Sequence, residues 1–139
     1  MQDLKMDVAA LEAFLHAEFP QVARDFAVLS ASAMRLSVAL RVGDGHLRPG
    51  GTVSGPSMFA LADVGVYLAV LSMIGPQALA VTTNCSIDFL RKPVAGKRVI
   101  ADVDLVKLGR RLAVGDVRLW SEGAKDLPVA RATLTYSIP

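Results

Sequence analysis

The chain has one cysteine, Cys85, and two histidines, His16 and His46, among its 139 residues. A single cysteine cannot close an internal disulfide, and no Cys/His cluster has the spacing of a metal site. A reducing compartment without a structural metal is expected. Runs of one charge are also missing: 15 basic and 13 acidic residues are spread along the chain, for a net charge of +2. Nucleic acid is therefore not the indicated partner, while a small anionic ligand fits. The N-terminal stretch mixes acidic with apolar residues and lacks the basic region, apolar core and cleavage site of a signal peptide. The longest apolar run, Val64 to Ile74, falls well short of the ~20 residues that span a bilayer. A cytoplasmic protein without a membrane partner is expected.

What the sequence has in plenty is apolar side chains, 53% of all residues. The length suits one domain over residues 1–139, and so high an apolar fraction suggests that part of the surface is covered by another subunit. A homo-oligomer is expected.

Leu4, Val8, Leu11 and Leu15 recur at helical spacing, predicting an N-terminal packing helix that ends near Pro20. From Met34 to Val42, apolar and polar residues alternate as in a half-buried strand. A glycine-rich loop from Gly43 to Val53 leads to Ser54-Gly55-Pro56, where Ser54 can cap a helix and Pro56 can sit in its first turn. That helix runs to the Gly75-Pro76 terminator. Four strands follow, at Ala80–Leu90, Arg98–Leu108, Arg111–Ser121 and Val129–Ile138. In the first of them Val81, Cys85, Ile87 and Phe89 face inward, with Thr83 also inward. Gly109, and Gly123 with Pro128, mark turns that join the last three strands in an antiparallel meander. The order predicts an α+β fold. Its central helix is apolar around almost the whole circumference, so a curved antiparallel sheet must wrap it.

Asp63 interrupts this helix, nine residues after Ser54. Aspartate has poor helical propensity, and an unpaired carboxylate is costly to bury. It is either a structural aspartate bonded to a neighbouring strand or a general base or nucleophile in a cleft. Gly55 stands where unpaired N–H groups and the helix dipole would stabilise a carbonyl oxygen gaining negative charge, and it also simply begins a helix. His16 and His46 read as surface residues, Trp120 and Tyr136 as strand packing. Tyr67, one turn after Asp63, lines a pocket or fills core.

Ser54-Gly55-Pro56 followed by SMFALAD, the segment TTNCSIDFLRKPVAG, and Gly109 with Arg110 together resemble the phenylacetate-degradation type of acyl-CoA thioesterases. The resemblance covers most of the chain after Met34 and implies a hotdog fold, a long central helix wrapped by a curved antiparallel sheet, here with an extra N-terminal helix. It implies hydrolysis of a small or medium acyl-thioester, with coenzyme A part of the substrate and no cofactor. By that resemblance Asp63 is the catalytic carboxylate, Gly55 the oxyanion-binding glycine, and Thr82 a water-placing hydroxyl contributed by the facing subunit. The site lies at the interface of a homodimer or homotetramer. Ser54, Arg48 and Tyr67 fall beside the expected cleft, and Arg91, Lys92, Arg110 and Arg111 where similar positions meet coenzyme A phosphates. The family's histidine is Ser54 here, its second glycine is Pro56, and an asparagine six residues before the histidine is Arg48. These departures leave an alternative open, a non-catalytic hotdog module that binds acyl-CoA or a related thioester.

Overall fold

The computed structural model describes residues 3–139. Helix α1 spans Val8–Glu18, and Asp7 caps it by accepting the Ala10 N–H at 2.9 Å. Its Leu11 and Leu15 are buried as the spacing predicts. Pro20 does stop α1, yet it also opens a second short helix, α2 at Pro20–Ala23, because proline is tolerated at a first helical position. Strands β1 (Phe26–Ser32) and β2 (Arg35–Leu40) precede the central helix α3 (Gly55–Ile74). After it come β3 (Val81–Phe89), β4 (Val99–Leu108), β5 (Leu112–Ser121) and β6 (Ala130–Ser137), each within about one residue of the predicted bounds.

The strands form one antiparallel sheet in the order β1-β2-β4-β5-β6-β3, which places the predicted β4-β5-β6 meander at its centre. The sheet packs on α3 with all six strands, as the hotdog fold requires. Every residue from Tyr67 to Met73 is buried. Taken whole, α3 is long and apolar enough by length and composition to cross a bilayer, unlike the shorter run from Val64 to Ile74. In this fold it is the core helix. The N-terminal segment packs on it: the N–H groups of Lys5 and Met6 donate to the Ser72 carbonyl at 2.7 and 3.1 Å. Glu12 accepts the Val28 N–H at 2.8 Å and so ties α1 to β1.

Strand β1 is absent from the sequence reading, and two local features hide it. Its pairing with β2 slips between Val28 and Ser30, which breaks the alternation. The turn into β2 uses Met34 at φ 64°, where glycine or asparagine would have signalled a hairpin. Met34 is thus a turn residue, not the first inward residue of a strand, and Val42 lies beyond β2. A second slip, between Thr82 and Asn84, makes Thr83 the extra residue of a bulge. Thr83 is exposed, not inward. The bulge puts Thr82 and Cys85, three residues apart, on the same side of β3.

Helix and sheet approach most closely at two glycines. A Cβ on Gly65 would lie 3.0 Å from Val103 Cγ2, and one on Gly115 would lie 2.9 Å from Val66 Cγ2. Gly115→Val should therefore overpack the α3–β5 contact and cost about 1–3 kcal/mol, read as a lower denaturation midpoint. An unchanged midpoint would show that the helix can recede from the sheet.

Candidate active site

The Asp63 carboxylate is held by two hydroxyls of its own chain. Thr82 Oγ1 donates to Asp63 Oδ1 at 2.5 Å, and the Tyr136 hydroxyl donates to the same oxygen at 2.6 Å. The Tyr136 oxygen also lies 3.0 Å from the Asp63 carbonyl. Burial, then the Asp63 charge and its hydrogen bond, push the Tyr136 phenol well above its ordinary range, so it remains a donor. Asp63 Oδ2 has no partner among the described residues and is not buried, so it is open to the cavity that Asp63 lines. That cavity of ≈ 480 Å³ is otherwise mainly apolar. Tyr67 is part of its wall, its hydroxyl donating to the Ala78 carbonyl at 3.3 Å. Burial, with the Glu18 charge adding, pushes the Tyr67 phenol up to about 12.

The positions of β3 and β6 decide this arrangement. Thr82 and Tyr136 are cross-strand partners, and the bulge turns Thr82 toward α3. Thr82, expected by resemblance to come from a facing subunit, bonds Asp63 of its own chain. Tyr136, read from sequence as packing, is a contact of the carboxylate. Nothing in the alternation of β6 separates Tyr136 from its inward neighbours Leu134 and Ala132. Among the described residues, no group of three or more His, Cys, Asp or Glu gathers as a metal site would require.

Gly55 lies elsewhere. Ser54 caps α3, its Oγ accepting the Ser57 N–H at 3.3 Å, and its carbonyl accepts the Met58 N–H at 3.1 Å. Pro56 has no N–H. The Gly55 N–H is thus the first-turn donor left without a partner among the described residues, at the positive end of a 20-residue helix. Gly55 lines a second hollow, of ≈ 370 Å³, together with Arg48, Phe89, Arg91 and Lys92. Eight residues of helix separate Gly55 from Asp63, about 12 Å, so within one chain the two cannot reach the same carbonyl group.

The remaining expected site residues sort into these surroundings. Ser54 acts as a helix cap. Arg48 lines the Gly55 hollow and makes no ion pair with Asp63. Arg91 donates to the Pro128 carbonyl at 2.6 Å while flanking the same hollow. Arg110 and Arg111 are apart from these, lining with Lys107 an open depression of ≈ 810 Å³ at the sheet end that carries Ser137. Val81 and Leu112 both pair with Ser137, which sets this basic hairpin on the Asp63 side. His46 is a partly exposed strut: its Nδ1 accepts the Gly43 N–H at 2.8 Å and its Nε2 faces Asp25 at 3.5 Å.

Residues 50–127, from the approach to α3 through most of the meander, match the model of the thioesterase superfamily. The chain belongs to that superfamily. A crystal structure from Silicibacter sp. TM1040, described as a "putative thioesterase", is 53% identical, covers 99% of this chain and 95% of its own, and superposes with a TM-score of 0.92. A mutant of the phenylacetic acid degradation protein PaaI from Thermus thermophilus is 35% identical over 86% of this chain and 99% of its own, with a TM-score of 0.73. A Streptococcus mutans UA159 protein bound to acetyl CoA is 28% identical over 82% of this chain and 88% of its own, with a TM-score of 0.71. Fold and family together place this thioesterase-superfamily chain among the hotdog proteins of the PaaI type.

Proposed function

We propose that the protein hydrolyses a small or medium acyl-CoA thioester, with Asp63 as general base and Gly55 of a second copy as oxyanion donor. The observation that carries this reading is the Asp63 carboxylate, one oxygen fixed by Thr82 and Tyr136 and the other open to an apolar cavity. Asp63 Oδ2 takes a proton from water as the water oxygen bonds to the thioester carbonyl carbon. The carbonyl oxygen becomes an oxyanion and is held by the Gly55 N–H and the α3 dipole. Collapse re-forms the carbonyl and breaks the carbon–sulfur bond, the thiolate leaving with the bonding pair and taking up the proton held on Asp63 Oδ2, so that acid and coenzyme A are released and the base is restored. A thiolate leaves readily, so the missing histidine is not needed as an acid. No cofactor takes part, since coenzyme A arrives with the substrate. The acetyl CoA held by the Streptococcus mutans relative supports this substrate class.

The free edge of β3 supports the second copy. This strand ends the sheet and exposes Val81 at 55%, Phe89 at 52% and neighbouring Leu90 at 47%, apolar surface of the kind another chain covers. Antiparallel pairing of two β3 strands about a two-fold axis at Cys85, with Thr83 the extra residue in each, sets Thr82 of one copy opposite Ile87 of the other, on the face that both share. Phe89 is the next residue along that face from Ile87, and its ring end lies 3.3 Å from where a Gly55 Cβ would stand. Such a homodimer brings Asp63 and the Gly55 N–H to one carbonyl. It also brings Arg48, Arg91 and Lys92 of one copy toward Arg110 and Arg111 of the other, a basic rim for the coenzyme phosphates.

Thiol release across a panel of acyl-CoAs, with Asp63→Asn as control, tests the reading. Wild-type rates equal to the control on every substrate would leave acyl-CoA binding without turnover. Within the same assay Tyr136→Phe should lower kcat about tenfold and leave KM nearly unchanged, because one hydrogen bond orienting a charged base is lost while the acyl contacts stay. A rise in KM at constant kcat would mean that Tyr136 only shapes the pocket.

A further inference from the structure

Beyond the carboxylate, the cavity has a floor that the central helix does not supply. Leu15 of α1, Phe19 between α1 and α2, and Val22 of α2 line it opposite Val64, Tyr67 and Ala80. Among the described residues, Asp63 is the one charged residue in the lining. Three aromatic rings lead inward from the carboxylate: Tyr136 is 6.1 Å from Tyr67, and Tyr67 is 5.8 Å from Phe19 in edge-to-face contact. Tyr136 and Tyr67 spend their hydroxyls on Asp63 and the Ala78 carbonyl.

The wall is fixed by the fold. The Phe19 N–H caps α1 by donating to the Leu15 carbonyl at 2.8 Å, and Pro20 fixes the start of α2 directly behind it. The Glu12 bond to β1 and the Lys5 and Met6 bonds to α3 anchor α1 at two further points. Phe19 is half-buried, in edge-to-face contact with Tyr67 and with part of its surface on the cavity.

We propose that the α1–α2 elbow is the end wall of the acyl pocket, that Phe19 limits acyl length, and that the substrate's acyl group is uncharged and apolar. This rests on the hydrolase reading above. An acyl chain leaving the carbonyl beside Asp63 runs along Tyr67 and stops at Phe19. A second carboxylate, as in a succinyl group, would meet apolar lining without a cationic partner, which is strongly disfavoured.

The test compares wild type, Phe19→Ala and Phe19→Trp on acyl-CoAs from acetyl to dodecanoyl, with phenylacetyl-CoA and succinyl-CoA included. Thiol release gives kcat/KM, and calorimetry with non-hydrolysable thioether analogues of the same lengths gives Kd. Phe19→Ala should raise the preference for long over short acyl groups about tenfold, the effect of adding or removing a methylene's room in an apolar pocket. Phe19→Trp should move the optimum to shorter groups, and succinyl-CoA should be the poorest substrate throughout. Thermal melts establish that the variants are folded, and Phe19→Leu, a smaller change, replaces any that is not. Folded variants with the wild-type length profile in both assays would overturn the end-wall assignment and leave the hydrolase reading intact. A wild type that binds the analogues without turning substrates over removes the hydrolase reading, and the end wall is then judged on Kd alone. A wild type that neither hydrolyses nor binds any member removes both.

Discussion

Asp63→Asn should lower kcat/KM for the best acyl-CoA substrate by about a thousandfold or more, within the range for loss of a general base. Asparagine is nearly the same size and keeps an oxygen to accept from Thr82 and Tyr136, so the donors that hold Asp63 Oδ1 stay satisfied. Its amide nitrogen, placed where Oδ2 faces the cavity, has no basic lone pair to take a proton from water. The fold should therefore survive while the chemistry does not. A thermal melt close to that of the wild type, beside the lost rate, checks both halves. A variant retaining a tenth or more of the wild-type rate would show that the base is elsewhere.

The second large effect concerns assembly. Gly55→Pro removes the unpaired N–H directly; its Cβ would stand 3.3 Å from the Phe89 ring, which must yield by a few tenths of an ångström. Ser54 already has φ −76° and ψ 158°, the extended conformation favoured before proline, and position 55 is the first residue of α3, where proline is tolerated. Loss of a lone oxyanion donor should cost about a hundredfold to a thousandfold in kcat. Co-refolding Asp63→Asn with Gly55→Pro should then restore activity. In a mixed dimer one site has both defects, and the other has an intact Asp63 facing an intact Gly55. Random pairing at equal amounts gives mixed dimers in half the population, so about a quarter of wild-type activity should return. A site contained within one chain would give no recovery, because no chain in the mixture carries both residues.

Much of this site is legible along the chain because its two centres are local features of one helix. Ser54, Gly55 and Pro56 mark a helix start by their own chemistry, and Asp63 stands out by polarity in an apolar segment. Thr82 is marked by family resemblance alone; strict alternation puts it on the wrong side of β3, and only the bulge at Thr83 turns it inward. Tyr136 and Phe19 carry no local mark, since inward aromatics on a strand or at a helix end usually serve packing. β1 stays hidden because Met34 makes its turn in a backbone conformation that its residue type does not announce.

The sequence by itself determined the types of the elements other than α2 and β1, the enclosed central helix and the placement of a carboxylate within it. Each of these follows from short-range periodicity, capping and polarity, which act over a few residues. Only the tertiary structure decided that Thr82 and Tyr136 grip one oxygen of Asp63, that the other faces a cavity ending at Phe19, and that Gly55 lies too far along α3 to serve the same carbonyl. The reason is physical: strand order β6-β3, a one-residue bulge and the docking of α1 on α3 bring together residues as distant in sequence as Phe19 and Tyr136, and no local preference encodes such pairings.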